Sequence, residues 1–161
     1  AYDSGGGIFC EHSSPTIENN TISGNSADDG GGGGIKCCDG SPTISNNTIT
    51  DNTAHYGGGV CCQYSSPTII DCILWGNGDD LYDCSATYSC IEDDDAGEGN
   101  IHDDPMFVTG PLGEYYLHPD SPCIDAGSRS ASAASLSNRT TQADGTRDTG
   151  TVDMGYHYPI P

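Results

Sequence analysis

The stretch GGGGIKCCDGSPTISNNTITDN, residues 31–52, has a near copy on either side. Upstream the chain reads GGGIFCEHSSPTIENNTISGN at residues 5–25, and downstream GGGVCCQYSSPTIIDCILWGN at residues 57–77. Ile8 and Ile35 are 27 apart, as are Cys10 and Cys37, Pro15 and Pro42, and Ile22 and Ile49. The next step shortens to 25, from Ile35 to Val60, Cys37 to Cys62, Pro42 to Pro67 and Asn52 to Asn77. A period of this size marks a solenoid, a propeller or an array. Inside each unit the apolar residues come in bursts of one to three, separated by Gly, Pro and Asn, which describes short strands joined by turns. The unit holds no helix pair and is too short for a propeller blade. What remains is an all-β parallel β-helix, one coil per unit, each coil about 4.8 Å along the axis from the next.

Stacking equivalent residues then gives four inward columns: Ile8, Ile35 and Val60; Ile17, Ile44 and Ile69; Ile22, Ile49 and Leu74; and the small thiols Cys10, Cys37 and Cys62. Neighbours in the cysteine column are close enough for one pair to oxidise. Asn25, Asn52 and Asn77 fall at one turn, Asn20 and Asn47 at another, where stacked amides can hydrogen-bond from coil to coil. The glycine triplets allow the backbone to turn where side chains cannot. At the third coil Cys72 stands in place of the Asn. YSCI (residues 88–91) reads as the next version of DCIL (residues 71–74), which makes Cys72 and Cys90 the leading disulfide pair, with Cys84 and Cys123 a second. Residues 1–99 are therefore read as coils, the last of them degenerate. Residues 100–161 are read as strands and a Ser/Thr/Ala-rich loop that close the open end, because an uncovered coil exposes unpaired backbone.

Composition agrees with a thin core. Only 34% of residues are hydrophobic, with two Phe and one Trp against 23 Gly. Asp and Glu number 24 against four basic residues, a formal charge of −20, with Lys36 the sole lysine. Such a surface repels nucleic acid and anionic membranes and attracts hard cations such as Ca²⁺. Nine cysteines without a C-x-x-C pair disfavour a zinc ribbon and suit an oxidising exterior, with one thiol left over. No apolar run approaches the roughly 20 residues of a membrane-spanning helix, and the lack of an initiator Met and of a signal peptide suits a processed, secreted product or a fragment.

The GGGI and I-x-G-N units resemble the repeats of polymorphic outer-membrane proteins and related bacterial β-helix proteins. The segment YSCI…GNIHDDPMFV…YYLHPDSPCIDAGS…DGTRDTGTVDMGYHY is similar to the closing segment of large secreted right-handed β-helix proteins. That resemblance implies a right-handed winding, export, and a cell-surface or extracellular role without an established enzyme activity.

Catalytic candidates are weak. A polysaccharide lyase needs a cationic base, and strand alternation turns Lys36 outward as a solvated side chain. A glycosidase needs two carboxylates at a set distance, and acidic pairs such as Asp28–Asp29, Asp79–Asp80 and Asp103–Asp104 are too abundant to single one out. The five histidines, His12, His55, His102, His118 and His157, have no metal spacing and read as surface or turn residues. Asp93, Asp94 and Asp95 form the densest run of oxygen ligands and are the candidate Ca²⁺ loop, although they lack the EF-hand pattern. Glycosylation sequons stand at Asn19, Asn46 and Asn138. The expectation is an extracellular structural or adhesive module without a catalytic site. Its first coil, residues 1–7, would be open for end-to-end self-association into a fibre. The alternative is a β-helix that binds or cleaves cell-surface or matrix polysaccharide through the Tyr and Asp residues of one face.

Overall fold

A computed structural model describes residues 5–160, apart from the side chain of Asp29. The proposed open edge at residues 1–7 thus falls largely on residues 1–4, outside the described residues. Coil one carries β1 (Ile8–Glu11), β2 (Thr16–Glu18), β3 (Thr21–Ser23) and β4 (Ser26–Gly31). Coil two repeats them as β5 (Ile35–Cys38), β6 (Thr43–Ser45), β7 (Thr48–Thr50) and β8 (Thr53–Tyr56). Coil three has β9 (Val60–Gln63), β10 (Thr68–Ile70) and β11 (Ile73–Trp75), and coil four β12 (Leu81–Tyr82), β13 (Ala86–Thr87) and β14 (Cys90–Ile91). Like pairs with like in parallel: sheet A is β1-β5-β9-β12, sheet B β2-β6-β10-β13, sheet C β3-β7-β11-β14, and the short sheet D β4-β8. No helix occurs among the described residues.

The register is the one the spacings require. Ile8 faces Ile35, Ile35 faces Val60, and Val60 faces Leu81. Ile17, Ile44, Ile69 and Ala86 form the second column, and Ile22, Ile49, Leu74 and Ile91 the third. Ile35, Ile44, Ile49, Val60, Leu74 and Ile91 are fully buried. Each buried aliphatic side chain contributes roughly 1.5–3 kcal/mol, so a low apolar fraction suffices when almost every apolar residue lies in a column.

The asparagines complete the interior. Asn52 Nδ2 donates to Ile22 O at 2.9 Å, Thr50 O at 3.0 Å and Asn77 Oδ1 at 3.0 Å. Its Oδ1 accepts from Asn25 Nδ2 at 2.9 Å and from Asn25 N at 3.0 Å. At the second ladder Asn47 Nδ2 reaches Ile17 O and Ser45 O. One coil on, the Cys72 thiol donates to the equivalent carbonyls, Ile44 O at 3.6 Å and Ile70 O at 3.3 Å, so the Asn-to-Cys exchange keeps the pattern with a weaker donor.

The cysteine column exists, with Cys84 packed against it, but all nine cysteines are thiols. The expected Cys72–Cys90 pair is ruled out by strand parity. Ile73 pairs with Cys90, which puts Cys72 opposite Ser89, so Cys72 lies inside the solenoid and Cys90 faces out from sheet C. Cys84 and Cys123 belong to separate cores; Cys123 shares its core with Cys90.

The C-terminal third departs from a simple end cap. Residues 97–101 do stack on coil four, with Ile91 N donating to Ile101 O and Tyr88 N to Glu98 O. The rest lies along the flank. The hairpin of β15 (Phe107–Gly110) and β16 (Gly113–Leu117) and the later pair β17 (Arg139–Thr140) and β18 (Tyr158–Pro159) are antiparallel. Leu117, Cys123 and Met154 pack on Ile73 and Cys90 of the outer face of sheet C. The last segment then runs back down the coils as a strap: Gly155 N bonds Asp71 O in coil three, Tyr156 N bonds Thr48 Oγ1 in coil two, and His157 N bonds Asn19 Oδ1 in coil one. Gly155 has φ +90°, and a Cβ there would meet Ile73 Cδ1 at 2.7 Å and Thr48 Oγ1 at 2.9 Å, so the close approach needs glycine.

Candidate functional site

Two extra residues in coil one build the site. Ala27 pairs with Ala54, 27 further on, whereas Gly31 pairs with Tyr56, 25 further on. The shortening of the period is thus a two-residue bulge between Ala27 and Gly31. Bulges twist a strand out of its sheet, and here the bulged β4 and its partner β8 form a wall beside the outer face of sheet A. Between them lies a cleft of about 650 Å³, within the range of ligand-binding clefts.

Sheet A provides the floor through Lys36, Cys61, Gln63 and Tyr82, and the wall provides Asp28, His55 and Tyr56. Six large hydrophobic side chains are exposed among the described residues, and Phe9, Tyr56, Tyr64 and Tyr82 are four of them. Three of these four line the cleft, while Phe9 pairs in register with Lys36 at its edge. The Tyr56 and Tyr82 rings lie 4.9 Å apart, and His55 meets Tyr56 edge-on at 4.4 Å. The result is a ledge of rings crossing neighbouring coils.

Lys36 is where the structure overturns the expectation of a solvated side chain. It does leave sheet A on the outer face, but only 4% of it is exposed, because the bulge covers it. Its ammonium sits 5.9 Å above the Phe9 ring, within cation–π range. Gly31 presses on Cys61 so tightly that a Cβ would overlap Sγ. Burial pushes the Cys61 and Cys38 thiols up, with Lys36 only partly offsetting it, so the floor offers no thiolate nucleophile at neutral pH.

The other candidate residues scatter. Asp93, Asp94 and Asp95 do not bring three oxygens within 4.8 Å of one another. Asp93 instead accepts from Asp80 N at 2.8 Å, and Asp95 O accepts from Asn100 Nδ2. Burial raises Asp80 to about 6. Asn46 is fully buried, which closes its amide to a glycan in this fold. Asn19 is held from both sides by the His157 backbone, and Asn138 alone of the three sequon residues is exposed. His157 is likewise no surface residue; it is fully buried, 2.8 Å from Asp148.

A family model described as a right handed beta helix region matches residues 1–96, the four coils just described. No curated protein and no solved structure matches the chain.

Proposed function

The chain belongs to the right-handed β-helix family, and on that premise we propose that it is an extracellular adhesive module that holds a neutral polysaccharide strand in the cleft over sheet A without cleaving it. The observation that carries this reading is the gathering of Tyr56, Tyr64 and Tyr82 in one cleft beside buried Lys36. Sugar rings present C–H faces that pack on aromatic rings, and their hydroxyls need donors and acceptors such as His55, Gln63, Asp28 and Asp83. A ledge crossing parallel coils suits an extended polymer better than a compact ligand. The charge of −20 disfavours polyanions, hence a neutral chain. Binding without cleavage is supported by Lys36, whose charged ammonium is buried over Phe9 and has no lone pair with which to act as a base.

Calorimetry with cellohexaose, xylohexaose, mannohexaose and oligogalacturonate tests the reading. At least one neutral hexasaccharide is expected to bind, with Tyr56→Ala and Tyr82→Ala each weakening it about tenfold, the equivalent of one ring contact of about 1.4 kcal/mol. Binding of oligogalacturonate alone, or release of new reducing ends, contradicts it.

Self-association is a second reading. β1, β2 and β3 are the outer strands of sheets A, B and C, and outer strands can pair with another strand. Sedimentation that stays monomeric at rising concentration argues against it.

A further inference from the structure

We infer that Asp148, Asp153 and His157 form a site for one divalent transition-metal ion, of which Zn²⁺ is the probe. The three are buried at 3%, 2% and 0% exposure, and one ligand atom from each lies within 4.8 Å of the others. The site is held from outside. Thr141 Oγ1 donates to Asp153 Oδ2 at 2.5 Å, Asp125 N donates to Asp153 Oδ1 at 2.8 Å, and Asp153 N donates to Asp148 Oδ2 at 3.1 Å.

Two observations ask for a cation. The first is at His157. Its Nδ1 donates to Gly155 O at 3.0 Å, and its Nε2 points at Asp148 Oδ2, 2.8 Å away. A backbone carbonyl fixing the far ring nitrogen is the usual support for a metal-bound imidazole. Tetrahedral ligands on an ion with bonds of about 2.0–2.1 Å sit about 3.3 Å apart, so the Nε2 and Oδ2 atoms need part only slightly to admit one. The second observation is Asp148 Oδ1, a buried carboxylate oxygen with no partner. Two carboxylates buried together are costly unless neutralised. Among the described residues no lysine or arginine pairs with either; Arg139 reaches only the His157 carbonyl, at 3.3 Å. A divalent ion would balance both carboxylates and give Asp148 Oδ1 a partner. The imidazole ligand favours a zinc-like ion over Ca²⁺. Because His157 is also bonded to Asn19 of coil one, the ion would fasten the strap across the coils.

The test uses the full chain, stripped with chelator and titrated with Zn²⁺ and with Co²⁺ as the spectroscopic stand-in. One equivalent is expected to bind, raising the melting temperature by several degrees. The Co²⁺ form is expected to show visible d–d bands without the near-ultraviolet sulfur charge-transfer band that any of the nine thiols would give. Asp153→Asn and His157→Gln should each weaken binding at least 100-fold, and millimolar Ca²⁺ should leave the melting temperature unchanged. The wild-type Co²⁺ spectrum decides the matter even if a variant fails to fold. No saturable uptake at 100 µM Zn²⁺ overturns the inference (an order-of-magnitude ceiling, about tenfold above weak protein sites), as does a thiolate spectrum or stabilisation by Ca²⁺ alone.

Discussion

Replacing Asn52 by alanine tests what the stacked amides contribute. The side chain is fully buried: its two amide hydrogens are shared among Ile22 O, Thr50 O and Asn77 Oδ1, and its Oδ1 accepts from Asn25 N and Asn25 Nδ2. Asn25 is half-exposed, so water can replace the two accepted bonds, and Asn77 Oδ1 keeps the bond from Asn52 N; the two amide hydrogens lost from the interior served Ile22 O and Thr50 O. At about 1 kcal/mol net for each interior bond, Asn52→Ala should cost roughly 2 kcal/mol. The control is Asn20→Ala at the exposed end of the other ladder. There the side chain donates only to Glu18 O and Asn47 Oδ1, and the backbone bond from Asn20 N to Asn47 Oδ1 survives. That variant should lose less than about 1 kcal/mol. Urea unfolding followed by circular dichroism reads both. With a slope near 2 kcal/mol per molar, the Asn52 midpoint should fall by roughly 1 M. Equal losses at the two positions would refute the argument that burial, and not hydrogen-bond formation as such, sets the value of the ladder.

Gly155→Ala forces a Cβ into Ile73 and Thr48 at φ +90° and should cost roughly 2–4 kcal/mol. Hydrogen exchange should show Tyr156 and His157 losing amide protection while the amides of sheets A to C keep theirs; uniform loss contradicts a separable strap. Asp80 gives a pH dependence. Its folded pKa, raised by burial to about 6, lies above the unfolded value of 3.8, so its contribution is complete below pH 3.8 and is lost as pH rises through 6. The loss from pH 4 to pH 7 is roughly 3 kcal/mol. Asp80→Asn should carry a fixed penalty but no such slope, and denaturant curves at several pH values that run parallel for variant and wild type would dismiss the assignment.

The coils were legible because each column repeats its chemistry at a fixed interval: aliphatic at Ile22, Ile49 and Leu74, amide at Asn25, Asn52 and Asn77. The cleft left a trace too, in the change of period from 27 to 25. Its meaning depended on where the two extra residues bulge, and only the pairing of Gly31 with Tyr56 settles that. Alternation turned Lys36 outward correctly and said nothing of the wall that covers it. The cysteine error was one of parity: matching DCIL to YSCI aligns Cys72 with Ser89, which places the two thiols on opposite faces of sheet C. The burial of His157 was missed because the groups it packs among are remote in sequence. The strap crosses sequence separations of 108 and 138 residues to reach Thr48 and Asn19, and no local pattern announces such contacts.

Amide chemical-shift mapping on ¹⁵N-labelled protein, titrated with the three neutral hexasaccharides, tests the assignment of the cleft most directly. The account expects at least one of them to shift Lys36, Tyr56, Cys61, Gln63 and Tyr82 together while Tyr115, Tyr156 and the rest of the strap stay still. Shifts confined to the strap, or none with any of the three sugars, would contradict it.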